Sequence, residues 1–167
     1  SIKGGVLGIH ACKKAGVPLD LIGDTSITNE PEYFERCRRE VDGERIKILG
    51  GQSRGACVWW MSQAHAFIHP AKDFREPFGL APVEAQLSGL PCIAFDSGAM
   101  RETVKDGETG RVVKTMDQFV DAVKEYSGPI SPKIRERCRE WASQFSPQAM
   151  SKRYADLCEE AIETGGW

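Results

Sequence analysis

Residues 80–95 carry a single formal charge, Glu84, in a stretch otherwise apolar, small or neutral polar. A segment of that composition belongs in an interior, and a carboxylate buried there is costly unless something pairs with it. Gly79 and Pro82 mark a helix entry. Proline fits the first turn, where its missing N–H leaves nothing unpaired, and glycine lets another group approach the backbone. The free amides of that turn favour an anion. On a helix starting near Gly79, Glu84 comes four residues after Leu80, about 40° round the axis, and looks back over the first turn. Glu76 stands just ahead of that turn. The two glutamates are therefore expected to face one pocket at the helix N-terminus. Two acids would repel an anion there, so they read as acceptors for ligand hydroxyls.

Around this stretch, strands and helices alternate. Apolar runs closed by glycine, proline or aspartate predict strands at 19–22, 46–49, 66–69, 91–95 and 111–113, with Ile93 and Phe95 at the heart of the fourth. Helical spacing predicts helices at 4–15, at 30–41, at 58–64, from 117 to the Gly128-Pro129 break, at 131–145 and at 147–164, the last opening on Ser146-Pro147. This rhythm argues for an α/β fold in three layers, a mainly parallel sheet covered by helices on both faces. Trp59 and Trp60 read as packing residues rather than a stacking platform, and Trp141, Phe145 and Tyr154 as anchors for the C-terminal helices.

At 167 residues the chain is about one domain, long enough to hold a real core. A net charge of −2 gives no basic footprint for nucleic acid or an anionic membrane. The arginines at 36, 38 and 39 alternate with Glu35 and Glu40 and form a solvated helix face. Six cysteines lie scattered without CxxC spacing and read as reduced, cytosolic thiols. His65 and His69, four apart with Cys57 upstream, read as residues flanking a buried strand rather than as zinc ligands, so no metal is expected. No apolar run approaches 18 residues and no signal-peptide pattern opens the sequence, so no transmembrane segment is expected.

The succession E-P-F-G-L-x-P-x-E-A-x-x-S-G-L-P-C-I-A-F, followed by S-G-A-x-x-E and D-G-E-T-G-R-V-V, closely resembles the donor-binding half of GT-B glycosyltransferases. The match is to the large retaining family, family 4 or group 1, that includes sucrose synthases and bacterial mannosyltransferases. The resemblance covers nearly the whole chain and implies a Rossmann-like domain that binds a nucleoside diphosphate sugar at the carboxyl ends of its strands. It implies that Glu76 contacts the transferred sugar and Glu84 the ribose, while backbone amides of Phe78, Gly79 and Leu80 meet the sugar and diphosphate. It places the base near Ile48, Leu49 and Gly50, and the sugar close to Gly98 with the amides of Gly98 and Ala99 available to it. Glu102 is expected to hold that loop in shape. Lys3 matches a lysine that grips the diphosphate, and Lys72 and Arg75 are further cations ahead of the phosphate site.

The arginine that accompanies this lysine in the family has no counterpart. Residues 1–167 are therefore expected to be a donor domain lacking its first strand and the N-terminal acceptor domain. Ala71 stands where relatives often carry serine, and Ala99 where they often carry a second glycine. The expected activity is transfer of a hexose to an acceptor in the cytoplasm, with retention of configuration. No cofactor is implied beyond the nucleotide sugar substrate, and the isolated half is expected to transfer little. Two other readings share the architecture: a nucleotide-sugar epimerase, with Glu76 and His69 as its candidate acid and base, and a non-catalytic nucleotide-sugar-binding module.

Overall fold

The structure, a computed structural model, describes residues 3–25 and 30–166. In chain order it comprises α1 (Gly5–Ala15), β1 (Leu19–Ile22), α2 (Pro31–Glu40), β2 (Ile46–Gly50), α3 (Arg54–Gln63), β3 (Phe67–His69), α4 (Leu80–Leu87), β4 (Cys92–Phe95), α5 (Met100–Thr103), β5 (Gly110–Val113), α6 (Met116–Glu125), α7 (Pro132–Ser143) and α8 (Pro147–Thr164). Helix starts follow local chemistry. Ser53, Ser131 and Ser146 each accept a hydrogen bond from the amide three residues on, and Thr115 with Gln118 forms a reciprocal capping box. Pro132 and Pro147 occupy the first helical position, where the absent N–H is harmless.

Among the described residues all strand pairs are parallel, yet they fall into two hydrogen-bonded sheets, β1-β2 and β3-β4-β5, rather than the one sheet expected. The two sheets nevertheless share a core. Ile46 of β2 packs with Ile93 and Phe95 of β4 and Val113 of β5, with Leu19, Leu21, Ile48 and Ile68 adding half-buried contacts. Because successive side chains on a strand point to opposite faces, Ile93 and Phe95 meet α1 and α6 on one side. Cys92 and Ala94 meet Met100 and Val104 on the other. With α4 packed on α7 and on β3 and β4, β4 is buried on both faces and the three-layer arrangement stands. The register is tight at β5: a Cβ on Gly110 would lie 1.8 Å from the carbonyl oxygen of Cys92, so no other residue fits.

Several packing expectations change. Helix α3 starts at Arg54 and has no buried residue, leaving Trp59 56% exposed and edge-on to Trp60, with ring centroids 4.8 Å apart. Trp59 is therefore not a core anchor. Helix α8 likewise buries nothing within this chain, and Tyr154 is 64% exposed. Trp141 does anchor, donating its indole N–H to the Thr103 carbonyl at 3.0 Å, and Phe145 packs edge-on against both Trp141 and Phe78. Among the described residues no helix is long and apolar enough to cross a membrane.

The stacked pair Phe95–Phe119, with centroids 4.7 Å apart, couples the sheet to α6. Phe119 is fully buried. Phe119→Ala is expected to lower the unfolding free energy by about 3–5 kcal/mol, measured as a shift of the urea midpoint at unchanged slope.

Candidate functional site

Strand β3 ends at His69, and the chain leaves the carboxyl edge of the sheet through residues 70–79 before entering α4. This loop is clamped from the neighbouring turn after β4. The Ser97 hydroxyl donates to the Phe74 carbonyl at 2.6 Å, and the Ala99 amide to the Glu76 carbonyl at 2.9 Å. Gly98, at φ 59°, sits so close that a Cβ there would lie 2.2 Å from the Glu76 carbonyl oxygen. The expectation that Ala99 offers its amide to a sugar is thus corrected, since that amide is engaged by Glu76. Gly98 is required for backbone contact with Glu76. Asp96 and Arg101 form a two-pronged pair at 2.5 and 2.6 Å, which holds the Asp96 carboxyl below its ordinary range. That pair, rather than Glu102, shapes the turn.

Glu76 is buried at 8% exposure, and its side chain does not lack company. The Lys3 ammonium donates to Oε2 at 2.6 Å, and His69 Nε2 lies 3.4 Å from the same oxygen. Lys3 also sits 5.3 Å from the Phe74 ring centroid. Lys3, 73 residues before Glu76, and His69 from the end of β3 therefore meet on one carboxylate. Burial drives the His69 pKa down, with Glu76 opposing and Lys3 assisting, so its ring is neutral.

Glu84 is not buried, although its segment is. Helix α4 inserts Pro82, Val83, Ala85 and Gln86 and turns Leu80, Glu84 and Leu87 outward. Across from it, Arg54 donates to Glu84 Oε1 at 2.7 Å, with 87% of the arginine side chain exposed. The two glutamates share no partner: Glu76 has Lys3 and His69, Glu84 has Arg54. Arg54 carries no sequence signal of this role, since nothing in Ser53-Arg54-Gly55 distinguishes it from a surface arginine at a helix start.

Gly79 caps α4 at φ 88°, with no side chain capping the helix, and a Cβ there would come 2.6 Å from the Met100 methyl. No backbone hydrogen bond among the described residues engages the amides of Gly79, Leu80 or Ala81. Phe78 and Leu80 are 38% and 69% exposed beside them. Ile48, Leu49 and Gly50 close β2 in the other sheet, just before Arg54 at the start of α3. The Leu49 carbonyl already accepts from Gln52 and the Gly50 carbonyl from the Gly23 amide, each keeping a second lone pair. Lys72 lies over the Phe95 ring, 5.8 Å from its centroid, and Arg75 is exposed. His65 reaches the Ser127 carbonyl at 2.9 Å, away from His69. Among the described residues no cluster of three or more metal-ligating side chains occurs.

The family described as "Glycosyl transferases group 1" matches residues 8–145. A D-inositol 3-phosphate glycosyltransferase of Corynebacterium kroppenstedtii is 32% identical over 97 residues, which is 56% of this chain and 22% of that protein. An uncharacterized 41.2 kDa protein in the cps region of Klebsiella pneumoniae is 35% identical over 141 residues, 83% of this chain and 37% of that one. The chain thus spans well under half the length of these curated relatives. The Anabaena protein HepE, solved in complex with UDP and glucose, superposes with a TM-score of 0.75 at 22% identity, covering 95% of this chain and 45% of that one. At that identity the likeness shows the fold, an α/β domain with parallel strands.

The neutral state of His69 has a consequence for stability. Its pKa is depressed in the folded chain, so between that value and about 6.5, the ordinary histidine value, the unfolded chain binds more protons. Stability is therefore expected to fall as the pH drops below about 6.5. In His69→Gln that part of the slope is expected to disappear, as read from urea midpoints measured between pH 5 and pH 7.5.

Proposed function

The chain belongs to the glycosyl transferases group 1 family, and from that premise we propose that it is the donor-binding half of a retaining, family 4 glycosyltransferase. The parent enzyme would move a hexose from a nucleoside diphosphate sugar to an acceptor. The observation that carries the reading is the meeting of Lys3 and Glu76 at the carboxyl edge of a parallel sheet, 2.6 Å apart, where open α/β sheets bind ligands. With the lysine side chain 53% exposed, the pair is screened and contributes about 1 kcal/mol or less. A ligand can part it. The ammonium then turns to the diphosphate and offsets the charge that grows on it as the glycosidic bond breaks. Glu76 accepts hydrogen bonds from the sugar hydroxyls.

The remaining groups fit the same ligand. The amides at Phe78, Gly79 and Leu80 meet the diphosphate and sugar at the start of α4, where the helix dipole favours negative charge. Glu84 exchanges an exposed arginine for the ribose hydroxyls, and Ile48, Leu49 and Gly50 border the base. Gly98 serves the sugar by letting its own loop close on Glu76. No metal enters these roles. The acceptor site lies in a further domain of the parent enzyme. Six unpaired thiols suit a cytoplasmic enzyme.

An epimerase needs an acid and a base on opposite faces of the sugar. Its two candidates here, Glu76 and His69, lie together 3.4 Å apart, which favours transfer over epimerisation.

Two measurements check the reading. Calorimetry with UDP-, GDP- and ADP-sugars is expected to show one that binds. Glu84→Ala is expected to weaken that binding by about 1.5–3 kcal/mol, the scale of a lost hydrogen bond to a charged group; unchanged affinity would contradict the ribose role. In the full-length parent, Glu76→Ala is expected to abolish sugar transfer, whereas a binding module would show no transfer to lose.

A further inference from the structure

His69 Nε2 is a buried polar atom with no hydrogen-bond partner among the described residues, and it is aimed at the site. The residue is 6% exposed and ends β3, where Pro70 fixes the chain behind it. Its Nε2 stands 3.4 Å from Glu76 Oε2, too long or too bent to be a hydrogen bond in this state. An unpaired nitrogen in an interior is unfavourable, and an apolar side chain would fill the space at lower cost.

The tautomer follows from what faces the ring. A bare Nε2 lone pair would oppose the lone pairs of the carboxylate, so Nε2 carries the hydrogen and Nδ1 does not. The charged groups around it are the ones that meet on the carboxylate, Lys3 from the chain leading into α1 and Glu76 from the loop before α4. With Lys3 in place the ammonium, at 2.6 Å, is the dominant donor to Oε2. When a diphosphate draws the ammonium away, the imidazole N–H remains 3.4 Å from that oxygen and can close on it.

We infer that His69 is a positioning residue for the sugar: it takes over Glu76 Oε2 when Lys3 leaves, and so keeps the carboxylate fixed for the sugar hydroxyls. This rests on the assignment of Glu76 to the sugar and of Lys3 to the diphosphate. The role belongs to a neutral N–H donor at that point in space, which a glutamine amide can supply and a phenyl ring cannot.

The test compares a nucleoside diphosphate sugar with its nucleoside diphosphate. Affinities of UDP-glucose against UDP, and of GDP-mannose against GDP, are measured by calorimetry for the wild-type chain, His69→Phe and His69→Gln. In the pair that binds, the wild type is expected to favour the sugar form. His69→Phe is expected to lose about tenfold of that preference while its affinity for the nucleoside diphosphate stays within about twofold, and His69→Gln is expected to restore most of it. Retained affinity for the nucleoside diphosphate also shows that the variant is folded. A preference unchanged in His69→Phe, or a parallel fall for both ligands in both variants, overturns the inference. A wild-type chain with no preference for either sugar form would instead sink the assignment of Glu76 itself, and the inference with it.

Discussion

Glu76 is the point on which the site depends, and it is fixed at both ends. Its carbonyl receives the Ala99 amide, and its backbone packs on Gly98 where only a glycine can sit. Its carboxylate receives Lys3 and faces His69. These contacts come from the chain before α1, from the end of β3 and from the turn after β4, three places that are adjacent only because the strands run parallel and end at one edge. The sheet thus does for Glu76 what no local sequence can. It brings a cation from 73 residues away to a carboxylate that would otherwise be buried alone.

The strength of that contact decides how it can be used. A fully buried pair would be hard to break without leaving a charge stranded. Here the lysine is half in water while the carboxylate is not, so separation leaves the ammonium solvated and asks only that the carboxylate find new donors. Sugar hydroxyls and the His69 N–H are such donors. Glu84 and Arg54 repeat the logic in weaker form, both being exposed enough for water to compete. Each carboxylate rests against a cation, and in the proposed function a ligand replaces it.

Much of this fold is legible in the sequence, and the failures have physical causes. The run through Ile93 and Phe95 reads as a buried strand because both faces of β4 are covered. The limits of α8 follow from Ser146-Pro147 at one end. The sequence pattern starts helix α3 too late, at residue 58, because its first turn, Arg54-Gly55-Ala56, has no apolar period and its start is set by the Ser53 cap. The one-turn helix α5 is held by tertiary packing of Met100 rather than by propensity. Composition placed Glu84 inside, but helical period overrides composition: Gln86 is the buried polar residue, donating to the Thr103 carbonyl at 2.8 Å, and Glu84 faces out. Glu76 and Gly98 stand out in the sequence as motif residues, whereas the backbone contact between them does not. Close approach of a glycine looks the same in sequence whether the neighbour is a ligand or the protein's own backbone.

The most direct test is a crystal structure of the chain with a bound nucleoside diphosphate hexose. The account predicts that Lys3 Nζ has left Glu76 Oε2 for a diphosphate oxygen, with the glutamate turned to the hexose. A ligand bound elsewhere, with the 2.6 Å contact between Lys3 and Glu76 intact, would contradict it.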